Sequence, residues 1–248
     1  MSNKAIAIFS AFTLGSFANY CYSQNTPLLE YAAEYEASAN GLAATANRSL
    51  SRLDENSYRL SNSLEASLAG QSLAKLKQAS EFTLQDNRVV PLNYSYQLSG
   101  VSRASHAIFF NWDAEVAIST EGDESWPLQL KEGVMDQLSY QLAMRQALID
   151  NSEDETTFSF EIIDGDAIET QEFRLAGEEI ISTPLGKLNT IKLEKVREAS
   201  DDRVTEIWLA LDWNFLLTRI EQINRSGLRI SLELKSAELD GKTVSGNN

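Results

Sequence analysis

The stretch Leu29-Glu-Tyr-Ala-Ala-Glu-Tyr-Glu-Ala37 decides the fold. Leu29, Tyr31, Ala33, Tyr35 and Ala37 alternate with Glu30, Glu34 and Glu36, and a period of two residues puts every apolar group on one face of a strand and every carboxylate on the other. The same alternation recurs at 42–50, 58–68 and 73–84, and again through Val90, Leu92, Tyr94, Tyr96 and Leu98. Ile108, Phe110, Trp112, Ala114, Val116 and Ile118 continue it against Asn111, Asp113 and Glu115. Further strands are expected at 158–162, 168–175, 188–196, 204–211, 216–223 and 228–234. Turn sequences punctuate them: Asn40-Gly41, Glu121-Gly122-Asp123, Asp164-Gly165-Asp166, Ala176-Gly177, Asp201-Asp202 and Ser226-Gly227.

One segment departs from this period. Between Val134 and Ile149, Met135, Leu138, Leu142 and Ile149 share a helical face that Asp136, Gln137, Gln141 and Gln146 avoid. No Gly or Pro interrupts it, so a helix over about 134–149 is expected. A mainly β chain with one packing helix implies a curved antiparallel sheet or an incomplete β-barrel, its open side filled by the helix.

At the amino-terminal end, Lys4 precedes the apolar run Ala5–Ala18 and the small-residue site Cys21-Tyr22-Ser23. This is the pattern of a cleavable secretory signal, residues 1–23, cut after Ser23. The run is too short for a membrane span, so no integral membrane segment is expected after cleavage. Cleavage would remove Cys21, the only cysteine, leaving 24–248 as one disulfide-free β-rich domain stabilised by its own core. A tail over 240–248 is expected to be disordered. The bulky Tyr20 before Cys21 does not suit acylation of that cysteine, so a soluble exported protein is favoured over a lipoprotein.

The chain carries 36 acidic residues against 21 basic, a formal net charge of −15. Binding to phosphate backbones or anionic lipid surfaces depends on Lys and Arg contacts, so nucleic acid is not an expected partner. His106 is the sole histidine, and no Gly-x-Ser-x-Gly turn occurs, so neither a multi-histidine metal site nor a serine triad on a nucleophile elbow is expected. No cofactor is expected either. The turn carboxylates Glu121, Asp123 and Glu124, and Asp164 and Asp166, lack the full calcium-loop pattern.

The order of several segments resembles a known family. Ala79-Ser-Glu-Phe-Thr-Leu leads into Val90-Pro-Leu-Asn-Tyr-Ser-Tyr, then Phe110-Asn-Trp-Asp, then Gly133-Val-Met-Asp-Gln-Leu-Ser-Tyr-Gln-Leu; Thr183-Pro-Leu-Gly and Ile207-Trp-Leu-Ala-Leu-Asp follow, ahead of Leu216-Leu-Thr-Arg-Ile. From about Leu29 to Leu234 this resembles the Gram-negative envelope family of domain of unknown function three-one-zero-eight. The chain departs from it at Leu211 and Leu217, where the family usually has proline. The hairpin Trp208-Leu-x-x-Asp212 with Leu217-x-Arg219 is also similar to the lipoprotein-carrier group, whose members fold as an unclosed barrel with a helical lid over an apolar cavity. The resemblance implies a periplasmic location and a fold, but no activity.

Tyr31, Tyr35, Tyr94, Tyr96, Phe110, Trp112, Phe158 and Phe160 share the inward parity of their strands. They would line an apolar cavity for a hydrophobic ligand, or pack with the helix as a solid core. Trp208 and Trp213 are candidates for docking an envelope protein, with burial of Trp208 beneath the helix, on the second face of the sheet, as the other reading. Arg219 is expected to pair with a strand glutamate such as Glu206 or Glu221. The expected function is non-enzymatic binding of an apolar ligand or an envelope protein; the alternative is hydrolysis of an envelope polymer through turn carboxylates.

Overall fold

The computed structural model describes residues 27–39, 42–68, 71–100, 102–151, 155–196, 203–224, 227 and 229–247. The expected signal, the turns at 40–41 and 201–202, and residues 226 and 228 lie outside them. The strands form one 16-stranded sheet. Its first part is a meander of β1 (Tyr31–Ala39), β2 (Leu42–Arg52), β3 (Ser57–Leu68), β4 (Gln71–Gln85), β5 (Arg88–Gly100), β6 (Ala104–Asn111), β7 (Val116–Glu121) and β8 (Glu124–Gln129). β9 (Val134–Met135) and α1 (Ser139–Asp150) follow. The second meander is β10 (Thr157–Asp164), β11 (Ala167–Thr183), β12 (Gly186–Lys195), β13 (Arg203–Ala210), β14 (Leu216–Asn224) and β15 (Arg229–Leu239), with the short β16 (Lys242–Thr243).

β15 returns to pair with β1, joining the two meanders into one surface with β8 and β9 at its edges. All pairings are antiparallel except β9 with β10. The sheet curls until its far strands meet through side chains: the Ser119 hydroxyl on β7 donates to the Gly165 carbonyl, in the turn from β10 to β11, at 2.6 Å. No ladder joins β8 to β9 among the described residues, so the barrel is open and α1 packs against β4, β5 and β10. Pro127 on edge strand β8 lacks the N–H that a further strand would use.

Several local expectations change. The run 108–118 is a hairpin: Asn111 Oδ1 accepts from Ala114 N at 3.1 Å, and Glu115 takes φ 51°. Phe110 pairs with Ala117 and Ile108 with Ser119, so Ala117 and Ser119 face inward while Val116 and Ile118 do not. A bulge at Glu81/Phe82 similarly puts Val89 and Pro91 inside instead of Val90 and Leu92. The expected turn Ala176-Gly177 is a bulge within the long β11, opened by Gly177 at φ 116°.

The helix begins later than the periodicity predicts. Asp136 Oδ1 accepts from Leu138 N at 2.8 Å and Ser139 N at 2.9 Å, while Ser139 Oγ accepts from Asp136 N at 2.9 Å. These bonds satisfy donors at the helix entrance and leave Val134 and Met135 free to pair with β10. Ile149 is exposed, off the buried face. The tail is not disordered over 240–247. Val244 is only 1% exposed and donates to Ala237 O, and Asn247 and Lys187 exchange backbone bonds of 2.8 Å. Among the described residues no helix is long and apolar enough to cross a membrane.

Candidate functional site

The inward aromatics do not act as one lining. Tyr35, Phe110 and Phe158 are buried in the core, and Phe160 packs against Tyr140 and Phe173. Trp112 borders a surface cleft between α1 and the start of β5, its indole N–H donating to Pro91 O at 2.7 Å. Tyr31 borders a small interior space under the helix. Of the eight, only Tyr94 and Tyr96 reach a cleft of about 990 Å³ at one end of the barrel.

That cleft is built from one end of many elements. The β6 entrance, the β7–β8 hairpin, the β10–β11 turn, and the ends of β12, β13 and β14 form its wall, and the first turn of α1 forms its floor. Gln78, Gln137, Gln141, Gln171 and Gln222 supply amides; Tyr94, Tyr96 and Tyr140 supply phenols. Gln78 Nε2 donates to the Tyr94 hydroxyl at 3.1 Å, and the Tyr140 ring stacks on Phe173 with centroids 5.6 Å apart. Burial pushes the Tyr140 phenol up to about 12, against the lowering charge of Arg48, and burial raises that of Tyr94 as well. Both stay protonated at neutral pH as hydrogen-bonding groups. Glu121, Asp164 and Glu169 stand on the wall with Lys195 and Arg203.

His106 lies in this wall, at the entrance of β6. Its Nε2 is 3.0 Å from Ser119 Oγ, and its Nδ1 is 3.8 Å from Glu121 Oε1. The composition is that of a triad, but the polarity is reversed. Ser119 gives its proton to Gly165 O, so the bond to the ring runs from Nε2–H to Oγ, and the imidazole has no lone pair there to accept the serine proton. Ser119 is also fully buried. The arrangement therefore ties β6 and β7 to the β10–β11 turn.

Burial lowers the His106 pKa from its ordinary 6.5, against the opposing pull of Glu121. The unfolded chain then binds the proton first, so stability must fall as pH drops through 6.5 toward the folded value. The urea midpoint at pH 5.5 should lie below that at pH 7.5, and His106→Gln should flatten the difference. An unchanged slope in the variant would assign the acid sensitivity to carboxylates instead.

Neither tryptophan is fully exposed. Trp208 is buried on the outer face, under Lys192 Nζ at 5.0 Å and Arg219 at 5.8 Å from its ring, and its indole N–H donates to Glu179. It does not lie beneath the helix. Trp213 is half-buried, donating to Ser245 O at 3.1 Å. Long cationic side chains on neighbouring strands cover this apolar surface with their stems. Arg219 pairs with Glu233 at 2.7 Å instead of Glu206 or Glu221, which face Lys192 and Arg229. Among the described residues no group of three or more His, Cys, Asp or Glu side chains is arranged to hold a metal ion.

Sequence reading missed Arg48 and Arg145, both buried inside the barrel. The signal was present: Arg48 sits between Ala46 and Leu50 in inward parity, and Arg145 falls on the helical face of Leu138 and Leu142. A cation at a core position needs a partner or a purpose.

The model of a family described as "Protein of unknown function (DUF3108)" matches residues 31–234. No curated protein matches the chain. The β-barrel-like protein of domain of unknown function DUF1849 from Brucella abortus has a similar fold, with a TM-score of 0.57 at 6% identity over 86% of this chain and 99% of that one. A Bacteroides fragilis protein with a YmcC-like fold has a TM-score of 0.36 at 10% identity, over 84% of this chain and 95% of that one.

Proposed function

This chain belongs to the DUF3108 family of proteins of unknown function, and from that premise we propose that it is an exported, non-catalytic binding protein whose ligand occupies the cleft at the barrel mouth. The carrying observation is the cleft itself. Its volume of about 990 Å³ is at the upper end of the range that holds small ligands, about 300–1,000 Å³. Its amide and phenol groups suit a ligand rich in hydroxyl or amide groups, such as a glycan or a short peptide, better than the acyl chain that the strand alternation suggests. The ring of Tyr96 supplies apolar contact within that polar frame. The export half of the proposal rests on Lys4, the apolar run Ala5–Ala18 and the small-residue site ending at Ser23.

A second reading keeps the hydrolase. Glu121 and Asp164 both line the cleft, and a carboxylate pair across a groove is what glycosidic cleavage uses. One experiment separates the two. Mature protein purified from periplasm without detergent is measured by native mass spectrometry, before and after incubation with soluble cell-wall fragments. The expected result is a bound polar molecule in the wild type that Tyr96→Ala releases, with the added fragments left uncut. Fragment cleavage that disappears in Glu121→Gln would replace binding by hydrolysis, and a co-purifying lipid would move the site to the cleft beside Trp112.

A further inference from the structure

Beneath the mouth cleft lies a second space of about 190 Å³, bounded by α1 and by strands β1, β2, β13 and β14. Tyr140, Gln141, Thr205 and Gln222 line both spaces, so the two adjoin across these four side chains. Its walls include Leu142, Leu209 and Leu217, yet two guanidinium groups stand in it. Arg48 is 8% exposed and Arg145 is 5% exposed. Arg48 Nε donates to the Tyr31 hydroxyl at 2.8 Å, and its Nη1 to Asn62 Oδ1 at 3.3 Å. Arg145 Nε and Nη2 find no hydrogen-bond partner among the described residues.

The groups that act electrostatically on this pair are the phenols Tyr31, Tyr35 and Tyr140 and the arginines themselves, with no carboxylate among them. Buried cations without a counter-charge are strongly disfavoured in an apolar surround, and a carboxylate at any neighbouring inward position would have relieved them. In a chain of net charge −15, acidic side chains are abundant, yet none is supplied here. We propose that the Arg48–Arg145 pair receives an oxyanion, a carboxylate or phosphoryl group, carried by the ligand that enters through the mouth cleft. Arg145 would offer its Nε–H and Nη2–H edge as a fork, the geometry that matches two oxygens of one anion. Tyr31 and Tyr140 close the surround with phenol groups. The volume of about 190 Å³ admits a small head group but not a whole ligand, which leaves the remainder in the cleft above.

The inference rests on the mouth-cleft reading for its entrance, but it is tested separately. Mature protein, exhaustively dialysed, is titrated calorimetrically with inorganic phosphate and with acetate at fixed ionic strength. The wild type is expected to bind one of them saturably at a single site, and which one binds identifies the head group. Arg145→Met should weaken that binding by about tenfold or more, as should Arg145→Lys, which keeps the charge and loses the fork. Ile180→Ala, on the exposed outer face and outside both spaces, should leave it within about twofold. A wild type that binds neither anion, or an arginine variant that binds with wild-type affinity, overturns the inference. A polar ligand that co-purifies and is retained by Arg145→Met would also overturn it while leaving the mouth-cleft reading intact; anion binding without any cleft ligand would do the opposite.

Discussion

Phe82→Ala should lower the free energy of unfolding by about 3–5 kcal/mol, the usual cost of truncating a fully buried aromatic side chain. Phe82 is 0% exposed and sits directly opposite Tyr58 across the β3–β4 ladder, the rings stacked with centroids 5.8 Å apart. Its inward position follows the plain alternation of Ser80, Phe82 and Leu84 along β4, and a bulge whose extra residue is Leu92 on β5 brings Pro91 opposite it. Pro91 has no N–H to give to the ladder at this point. Removing the ring therefore takes away transfer energy and the stacking contact with Tyr58. The urea midpoint should fall with little change in slope, and Phe82→Leu should recover more than half of the loss. A loss below about 1 kcal/mol would mean that the open barrel collapses around the missing ring, contrary to a core that the helix and both meanders already fill.

How far the sequence carried this description depended on whether a signal was local. Strand parity at β1, β2 and β3 is local, and Tyr31, Tyr35, Leu50, Tyr58 and Leu60 face inward as the alternation requires. At Trp112–Glu115 the alternation ran straight through a four-residue turn, because apolar and polar residues continued to alternate while the backbone reversed. Bulges had the same effect at Leu92 and Ala176, since one extra residue exchanges the faces without changing composition. The helix was visible from Leu138 and Leu142, but its start was not. That start is set by Asp136, which draws on Ser80 from β4, 56 positions away in the chain. The site was the least legible part. Aromatic parity led to a lining that packing converted into core, whereas the cleft is assembled from turn and strand ends that meet only after the sheet has curled. Arg48 and Arg145 were readable as misplaced cations within apolar patterns, and only the fold brings them to one space.

Asp136→Ala should cost about 3 kcal/mol or more, since it strands several buried donors at about 1–3 kcal/mol each, not fully additive. The Asp136 carboxylate takes the Ser80 hydroxyl at 2.7 Å on one oxygen and the Leu138 and Ser139 amides on the other. It is therefore both the cap of α1 and its attachment to β4. The functional consequence follows from position: Gln137, Tyr140 and Gln141, which floor the mouth cleft, stand immediately after it, so the variant should lose cleft binding along with stability. Asp136→Asn separates the two properties of the side chain, keeping an acceptor for the amides while removing the charge. Burial raises the Asp136 pKa above its ordinary 3.8, against hydrogen bonds from Ser139, Ser80 and Leu138 that pull the other way. With the folded value raised, the native state binds the proton more tightly than the unfolded chain, so stability contributed by this group is complete below 3.8 and is lost as pH rises through the folded value. Asp136→Asn should thus gain on the wild type as pH rises from about 4, measured as the difference in urea midpoints. The opposite trend, with the wild type gaining on the variant, would mean that the converging donors outweigh burial and that the fold holds Asp136 as an anion.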